Sequence, residues 1–162
     1  MRTARLLAAV LFTAALFCQS TAKRKLGVPE PPKKDVPYLI HADSLLETES
    51  NEAKEETRKD EKLYFIPGRS SPVKTPLAGP EFLFESQNIP PEKLQLFKLE
   101  PKNGRREVII ARKKKPVARP IRTTVFAMDK KVYKIRVDES LTAGEYSLSP
   151  EGSNAVFCFA VE

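Results

Sequence analysis

Apolar and polar residues alternate in short runs along much of the chain, and the period is two. In residues 132–137, Tyr133, Ile135 and Val137 alternate with Lys134 and Arg136. That is the mark of a strand with one face in water. Tyr146 and Leu148 share one face of the next run, with Glu145, Ser147 and Ser149 on the other. Residues 156–161 differ: Phe157, Phe159 and Val161 line one face, and Val156, Cys158 and Ala160 line the opposite one. A strand apolar on both faces is covered on both sides or lies mid-sheet. Further apolar runs cover 36–41, 63–66, 81–86, 94–100, 106–112 and 122–128. Together they predict about eight or nine short strands. Asn103-Gly104 is a hairpin signal, because both residues accept positive φ. Residues 150–154 turn the chain into its last strand.

Between residues 42 and 62 the pattern is ambiguous. Ser44-Leu45-Leu46-Glu47 has the spacing of a capping box that opens a helix. No apolar stripe follows it. Ala53 stands alone among Glu, Lys, Arg and Thr, and a helix with no face to bury is marginal in water. The preferred alternative is a charged hairpin that turns near Lys59-Asp60 and returns through Leu63-Tyr64-Phe65-Ile66. Pro72, Pro76 and Pro80 make residues 69–80 a loop, since that spacing suits neither a helix nor an inner strand. Many strands and no convincing amphipathic helix predict an all-β fold, a single antiparallel β-sandwich. Its expected core is Leu63, Phe65, Phe82, Phe84, Leu94, Leu96, Val108, Ile110, Val125, Tyr133, Ile135, Tyr146, Leu148, Phe157 and Phe159. A domain of this size folds without needing a metal or a disulfide.

Residues 1–22 read as an address. Arg2 and Arg5 precede an apolar run over 6–17, and Ser20-Thr21-Ala22 supplies small residues before Lys23. These are the three parts of a cleaved signal peptide, and the run is shorter than the roughly 20 residues that span a bilayer. An uncleaved anchor and lipidation at Cys18 are the rivals, but the bulky Phe17 stands where lipidation wants a small residue. Losing Arg2 and Arg5 from the 28 basic residues leaves 26 against 21 acidic ones, net +5. The mature chain then has no transmembrane span and is periplasmic or extracellular. Cys158 is left without a partner for an internal bridge, and its strand context predicts burial. Residues 23–35, KRKLGVPEPPKKD, are basic and Pro-rich and predict an extended spacer arm. The β-sandwich domain takes 36–162.

Leu141, Gly144 and Tyr146 spell Leu-x-x-Gly-x-Tyr leading into a strand. This resembles the tyrosine corner of immunoglobulin-like and fibronectin-like Greek-key sandwiches, over about twenty residues of the final hairpin. The resemblance implies an immunoglobulin-like Greek key in which Tyr146 bonds the backbone just upstream. It implies no function. The chain departs from antibody-type domains in having no Trp and no Cys pair between sheets. In overall type it resembles secreted bacterial proteins.

Composition removes several function classes. One His cannot build a site that needs two, and two Cys cannot build a Cys₄ zinc site. His41 has Asp43 two residues on, and the two could orient one another. No nucleophile elbow or second ligand accompanies them, so His41 reads as structural or solvated. Glu47, Glu49, Glu52, Glu55 and Glu56 could supply paired carboxylates. Interleaved with Lys54, Arg58 and Lys59, they read instead as solvated, without the burial that raises a catalytic acid's pKa. No catalytic residue, metal ligand or cofactor is assigned, and an unrecognised hydrolase is only a third reading. The absence of Trp argues against a carbohydrate module, which stacks sugars on exposed rings.

The densest charge is residues 112–122, RKKKPVARPIR, which has six cations, two prolines and no anion. Arg112, Lys113, Lys114, Lys115, Arg119 and Arg122 are therefore candidate polyanion-binding residues, acting through counterion release. A solubilising loop, or charges that guard a sheet edge, is the plainer account. Export points away from nucleic acid and toward an anionic envelope polymer. The expected function is a secreted, non-enzymatic β-sandwich with a binding or structural role in the cell envelope, its partner an envelope protein. The alternative is a polyanion-binding module built on the basic loop.

Overall fold

The computed structural model describes residues 30–162. The expected signal peptide and the first part of the expected arm lie outside the described residues. In chain order the strands are β1 (Pro37–His41), β2 (Ser44–Glu47), β3 (Glu49–Glu52), β4 (Lys54–Arg58), β5 (Glu61–Pro67), β6 (Lys74–Thr75) and β7 (Glu81–Glu85). After these come β8 (Leu94–Lys102), β9 (Arg105–Arg112), β10 (Lys115–Pro116), β11 (Thr123–Asp129), β12 (Val132–Val137), β13 (Gly144–Pro150) and β14 (Ala155–Val161). One turn of 3₁₀ helix, Pro91–Lys93, is the only helical element among the described residues. No helix there is long and apolar enough to cross a membrane.

The strands form two sheets. One has the order β11-β12-β7-β1-β2; the other runs β3-β14-β13-β8-β9-β5-β4, with β10 beside β9 and β6 beside β14. Every pairing is antiparallel except the short β6–β14 contact. The fold is thus all-β, as the period-two pattern predicts. The ambiguous stretch is strand and not helix, but only its second half forms the expected hairpin: β4 and β5 pair from Lys54↔Phe65 to Arg58↔Glu61, with Lys59 at φ +47° in the turn, whereas β2 pairs with β1 and β3 with β14. The Asn103-Gly104 turn joins β8 to β9 with φ values of +51° and +76°, as a tight hairpin turn requires.

The main core fills the space between the five-stranded sheet and one face of β8, β13 and β14. Leu39, Phe82, Phe84, Ile135 and Val137 meet Leu94, Leu96, Tyr146, Leu148, Phe157, Phe159 and Val161. The Phe159 ring sits edge-on to Phe82 at 5.0 Å and stacks on Tyr146 at 5.6 Å. Each such side chain contributes roughly 1.5–3 kcal/mol when fully removed from water. The expected core residues are all buried or half-buried, with Phe65, Val108, Ile110, Val125 and Tyr133 in the half-buried group.

The longer sheet folds over on itself. β8 pairs with β13 along residues 94–99, then with β9 only along residues 100–102. At the far end of the path β3 pairs with β14 and β4 with β5, and the single residue Ala53 separates β3 from β4. The Ala53 N–H donates to the Asn154 carbonyl at 2.8 Å, so pairing with the last hairpin runs on through the junction. The two end strands of the path are therefore one extended stretch of chain, and the path returns to its start. Between the first half of β8 and the second half of β9 the strands splay. Residues 117–121 strap that gap: the Val117 N–H donates to Ile110 O, and the Ile121 N–H to Leu96 O, both at 2.8 Å. The result is three layers: the five-stranded sheet, then β14-β13-β8, then β9-β5-β4. β14 lies in the middle layer, where its two apolar faces are both covered.

Candidate functional site

The second compartment lies between the middle and outer layers. Alternation along each strand selects its lining. β13 and β8, whose other faces fill the main core, turn Ser147, Ser149, Gln95, Phe97 and Leu99 this way. Tyr64, Ile66, Val108 and Ile110 face them from β5 and β9, and Ala53 and Val156 close the side. Here β13 supplies the small Ser147 and Ser149 where its other face gives the main core Tyr146 and Leu148. The space left is a cavity of about 330 Å³, open at the end where the 150–154 turn lies. Its walls are apolar apart from one side. On that side Gln95 stands opposite Ser149 in register, next to Ser147. The two serine hydroxyls lie 3.3 Å apart, a loose contact compared with the usual 2.7–2.8 Å for hydroxyl pairs.

One inward position further along the strands, the compartment is sealed by charge. Arg106 is fully buried. Its guanidinium makes a two-pronged contact with Glu49, at 2.7 and 2.9 Å, and lies 3.7 Å from Glu145. It also donates to the carbonyls of Pro67 and Gly68. Glu145 accepts from the Ser70 hydroxyl at 2.6 Å and from the Ser71 N–H at 2.9 Å, and Glu49 accepts from Asn51 at 2.7 Å. Every charge in this plug has a partner, as burial demands. Desolvation works to raise the Glu49 carboxyl, but Arg106, Ser71 and Asn51 outweigh it and hold Glu49 below the usual carboxylate range. Desolvation likewise opposes the charge on Arg106, and Glu49 and Glu145 with the other groups around it more than offset it. Burial pushes the neighbouring Cys158 thiol up to about 12. That keeps it protonated and inert at neutral pH.

Charges at the cavity mouth are paired as well. Glu151 meets Lys93 at 2.5 Å. Glu55 accepts from the Tyr64 hydroxyl at 2.9 Å and meets Lys62 at 3.0 Å. Gln95, Ser147 and Ser149, which reach into the cavity, can donate and accept hydrogen bonds and carry no ionisable group. The arrangement can therefore hold and orient a ligand with an apolar body.

The basic loop lies elsewhere. Arg112 is the last residue of β9 and is bound to Glu61 at 2.8 Å. The Lys113 N–H donates to the Asp60 carbonyl at 2.7 Å, so the tip of the β9–β10 turn rests against the tip of the β4–β5 hairpin. Lys113 and Lys114 take φ values of +48° and +63°. Lys113, Lys114, Lys115, Arg119 and Arg122 are exposed and have no ion-pair partner among the described residues. Sequence reasoning treated 112–122 as a charged connection and missed its structural half, in which Val117, Ala118 and Ile121 pin the strap to β9 and β8.

The tyrosine corner is formed. The Tyr146 hydroxyl donates to the Thr142 carbonyl at 2.7 Å, and Leu141 and Tyr146 are buried. Gly144 sits at φ +154°, a conformation that residues with a side chain rarely adopt. The acidic segment needs one correction. Glu49 is not solvated: it faces inward onto Arg106 from β3, whereas Glu55 and Glu56 stay at the surface in ion pairs. His41 ends β1 and is half-buried, with its Nδ1 buried and unpartnered. No cluster of His, Cys, Asp or Glu able to hold a metal ion occurs among the described residues. Compared with family models, curated proteins and solved structures, the chain finds no match.

Proposed function

We propose that this is an exported, non-enzymatic binding protein of the cell envelope, and that its ligand site is the cavity between the middle and outer layers. The observation that carries this reading is the two-faced middle layer. On one side β13 and β14 present Tyr146, Leu148, Phe157 and Phe159 to a filled core. On the other they present Ser147, Ser149 and Val156 to an open space of about 330 Å³. Such a volume with apolar walls and a few convergent polar groups is the usual form of a small-ligand site. The leader-like first 22 residues support export, and the corner at Tyr146 supports an immunoglobulin-like Greek key. The test is uptake of the neutral dye Nile red. The protein should enhance its fluorescence, and Ser149→Phe, which fills the mouth, should abolish the enhancement while leaving the melting temperature nearly unchanged. Absence of enhancement by the unaltered protein would sink the reading.

A second reading rests on a different observation: the fold gathers Lys59, Arg112 and Lys113 at two adjoining hairpin tips, next to the unpaired Lys114 and Lys115. Such an end attracts an anionic envelope polymer. Retention on heparin that falls steeply with salt, and vanishes in Lys113→Gln/Lys114→Gln/Lys115→Gln, supports it. Retention that survives the triple substitution rejects it.

A further inference from the structure

We infer that the cavity takes a neutral, single-chain amphiphile, an alkyl or acyl chain that ends in a hydroxyl, amide or ester. This rests on the ligand-site reading above and narrows it to one chemical class. Four features of the cavity select that class.

The walls come first. Ile66, Leu99, Val108, Ile110 and Val156 offer aliphatic surface without a hydrogen-bonding partner for a polar ligand body. Size comes second. About 330 Å³ is at the small end of the roughly 300–1,000 Å³ that ligand sites span, so the space suits one chain and not a two-chain lipid. The lining on β8 runs from Gln95 to Leu99, about 13 Å of strand, which makes the site elongated.

Unused polar capacity is the third feature, and among the strand residues of the lining it is confined to one wall. The Gln95 amide has no hydrogen-bond partner among the described residues. The Ser147 and Ser149 hydroxyls have only their long contact with each other. A half-buried amide, a buried hydroxyl and a half-buried one so placed can receive one small polar head group, donating to it and accepting from it. Fourth, the cavity has no spare charge. Its one charged lining residue, Glu151, is held by Lys93, and the nearby Glu55 and Lys62 hold each other. The buried Arg106 is already saturated by Glu49. A carboxylate or an ammonium brought into this space would lose its water and find no counter-charge, a heavy cost. A hydroxyl, amide or ester loses little and regains its hydrogen bonds.

The experiment is calorimetric titration of the protein with three probes of equal chain length: 1-decanol, decanoate and decyltrimethylammonium. Decanol should bind about ten-fold or more tightly than either ion. Its affinity should stay flat from pH 5 to 9, since decanol is uncharged and the side chains that would meet its hydroxyl, Gln95, Ser147 and Ser149, do not ionise. Gln95→Leu should weaken decanol several-fold, because the head-group contact is lost. Equal binding of decanol and decanoate, or of decanol and the ammonium, overturns the neutral head group. Binding of Nile red with no binding of decanol overturns the single chain while the cavity stays a ligand site. Failure of all three probes and of Nile red overturns the inference together with the reading on which it rests.

Discussion

The two faces of the middle layer use the same strands for opposite ends. Toward the five-stranded sheet, β13 and β14 place Tyr146, Leu148, Phe157, Phe159 and Val161, and the ring of Phe159 is clamped between Phe82 and Tyr146. Toward the outer layer the same strands place Ser147, Ser149, Val156, Cys158 and Ala160, which fill much less space. The first compartment is filled by large side chains; the second packs a smaller cluster, Ala53, Ile66, Leu99, Val156 and Cys158, beside an opening and an ion cluster. Backbone geometry is common to both, so side-chain volume sets how completely each face is filled.

That contrast is easiest to break in the first compartment. Phe159→Ala removes a fully buried ring from the centre of the main core and should cost about 3–5 kcal/mol, read as a lowered urea midpoint with an unchanged slope. A loss below about 1 kcal/mol would mean that the core collapses around the gap and that the two compartments do not differ as described.

Next in size is the stopper. Arg106→Met leaves Glu49 and Glu145 facing one another without their cation and should cost about 3 kcal/mol or more. The double variant Arg106→Met/Glu49→Leu should recover part of the loss, because a buried ion pair is worth less than the penalty for breaking it. The cluster also sets the response to acid. Glu49 is held below its ordinary pKa in the folded state, so it contributes stability that is fully present above about pH 4–5. That contribution disappears as pH falls through its lowered value. Glu107 acts in the same direction, as burial there is outweighed by Arg105 and Arg58. The urea midpoint should therefore fall on acidification below about pH 4, and Glu49→Gln should flatten part of that decline.

A smaller effect tests the corner that closes the main core. Tyr146→Phe keeps the stacked ring and deletes one hydrogen bond to Thr142, and should cost about 1 kcal/mol. A loss several-fold larger would give the hydroxyl a part in positioning the β13 entry beyond a single bond.

How far these features were legible in the sequence follows from how local they are. The two-faced β14, the Asn103-Gly104 turn and the corner at Tyr146 depend on residues within one hairpin, and period and turn chemistry reveal them. The charged hairpin at Lys59-Asp60 was legible for a negative reason, since the segment had no stripe for a helix to bury. Arg106 was not legible. Next to Arg105 it reads as a surface cation, and its burial depends on Glu49, 57 positions earlier. The cavity was hidden for the same reason. Ser147 and Ser149 look like the wet face of an edge strand until the chain folds over and sets β5 and β9 opposite them. The junction at Ala53 makes that fold-over possible, and a lone alanine among charges carries no signal for it.

The smallest effect separates the compartments most sharply, because it compares neighbours on one strand. Leu148 is fully buried against the five-stranded sheet, and Leu148→Ala should cost about 2–5 kcal/mol. Ser149 is the next residue and points to the opposite side, where its hydroxyl makes only a long contact with Ser147. Ser149→Ala removes no packed volume and strands no buried donor, so stability should stay within about 0.5 kcal/mol of the unaltered protein. The same substitution takes away a polar group from the cavity wall, so decanol affinity should fall while the urea midpoint stays put. A Ser149→Ala variant that loses stability like Leu148→Ala would mean that the serine wall is part of the packing and that the space beside it is not free to take a ligand.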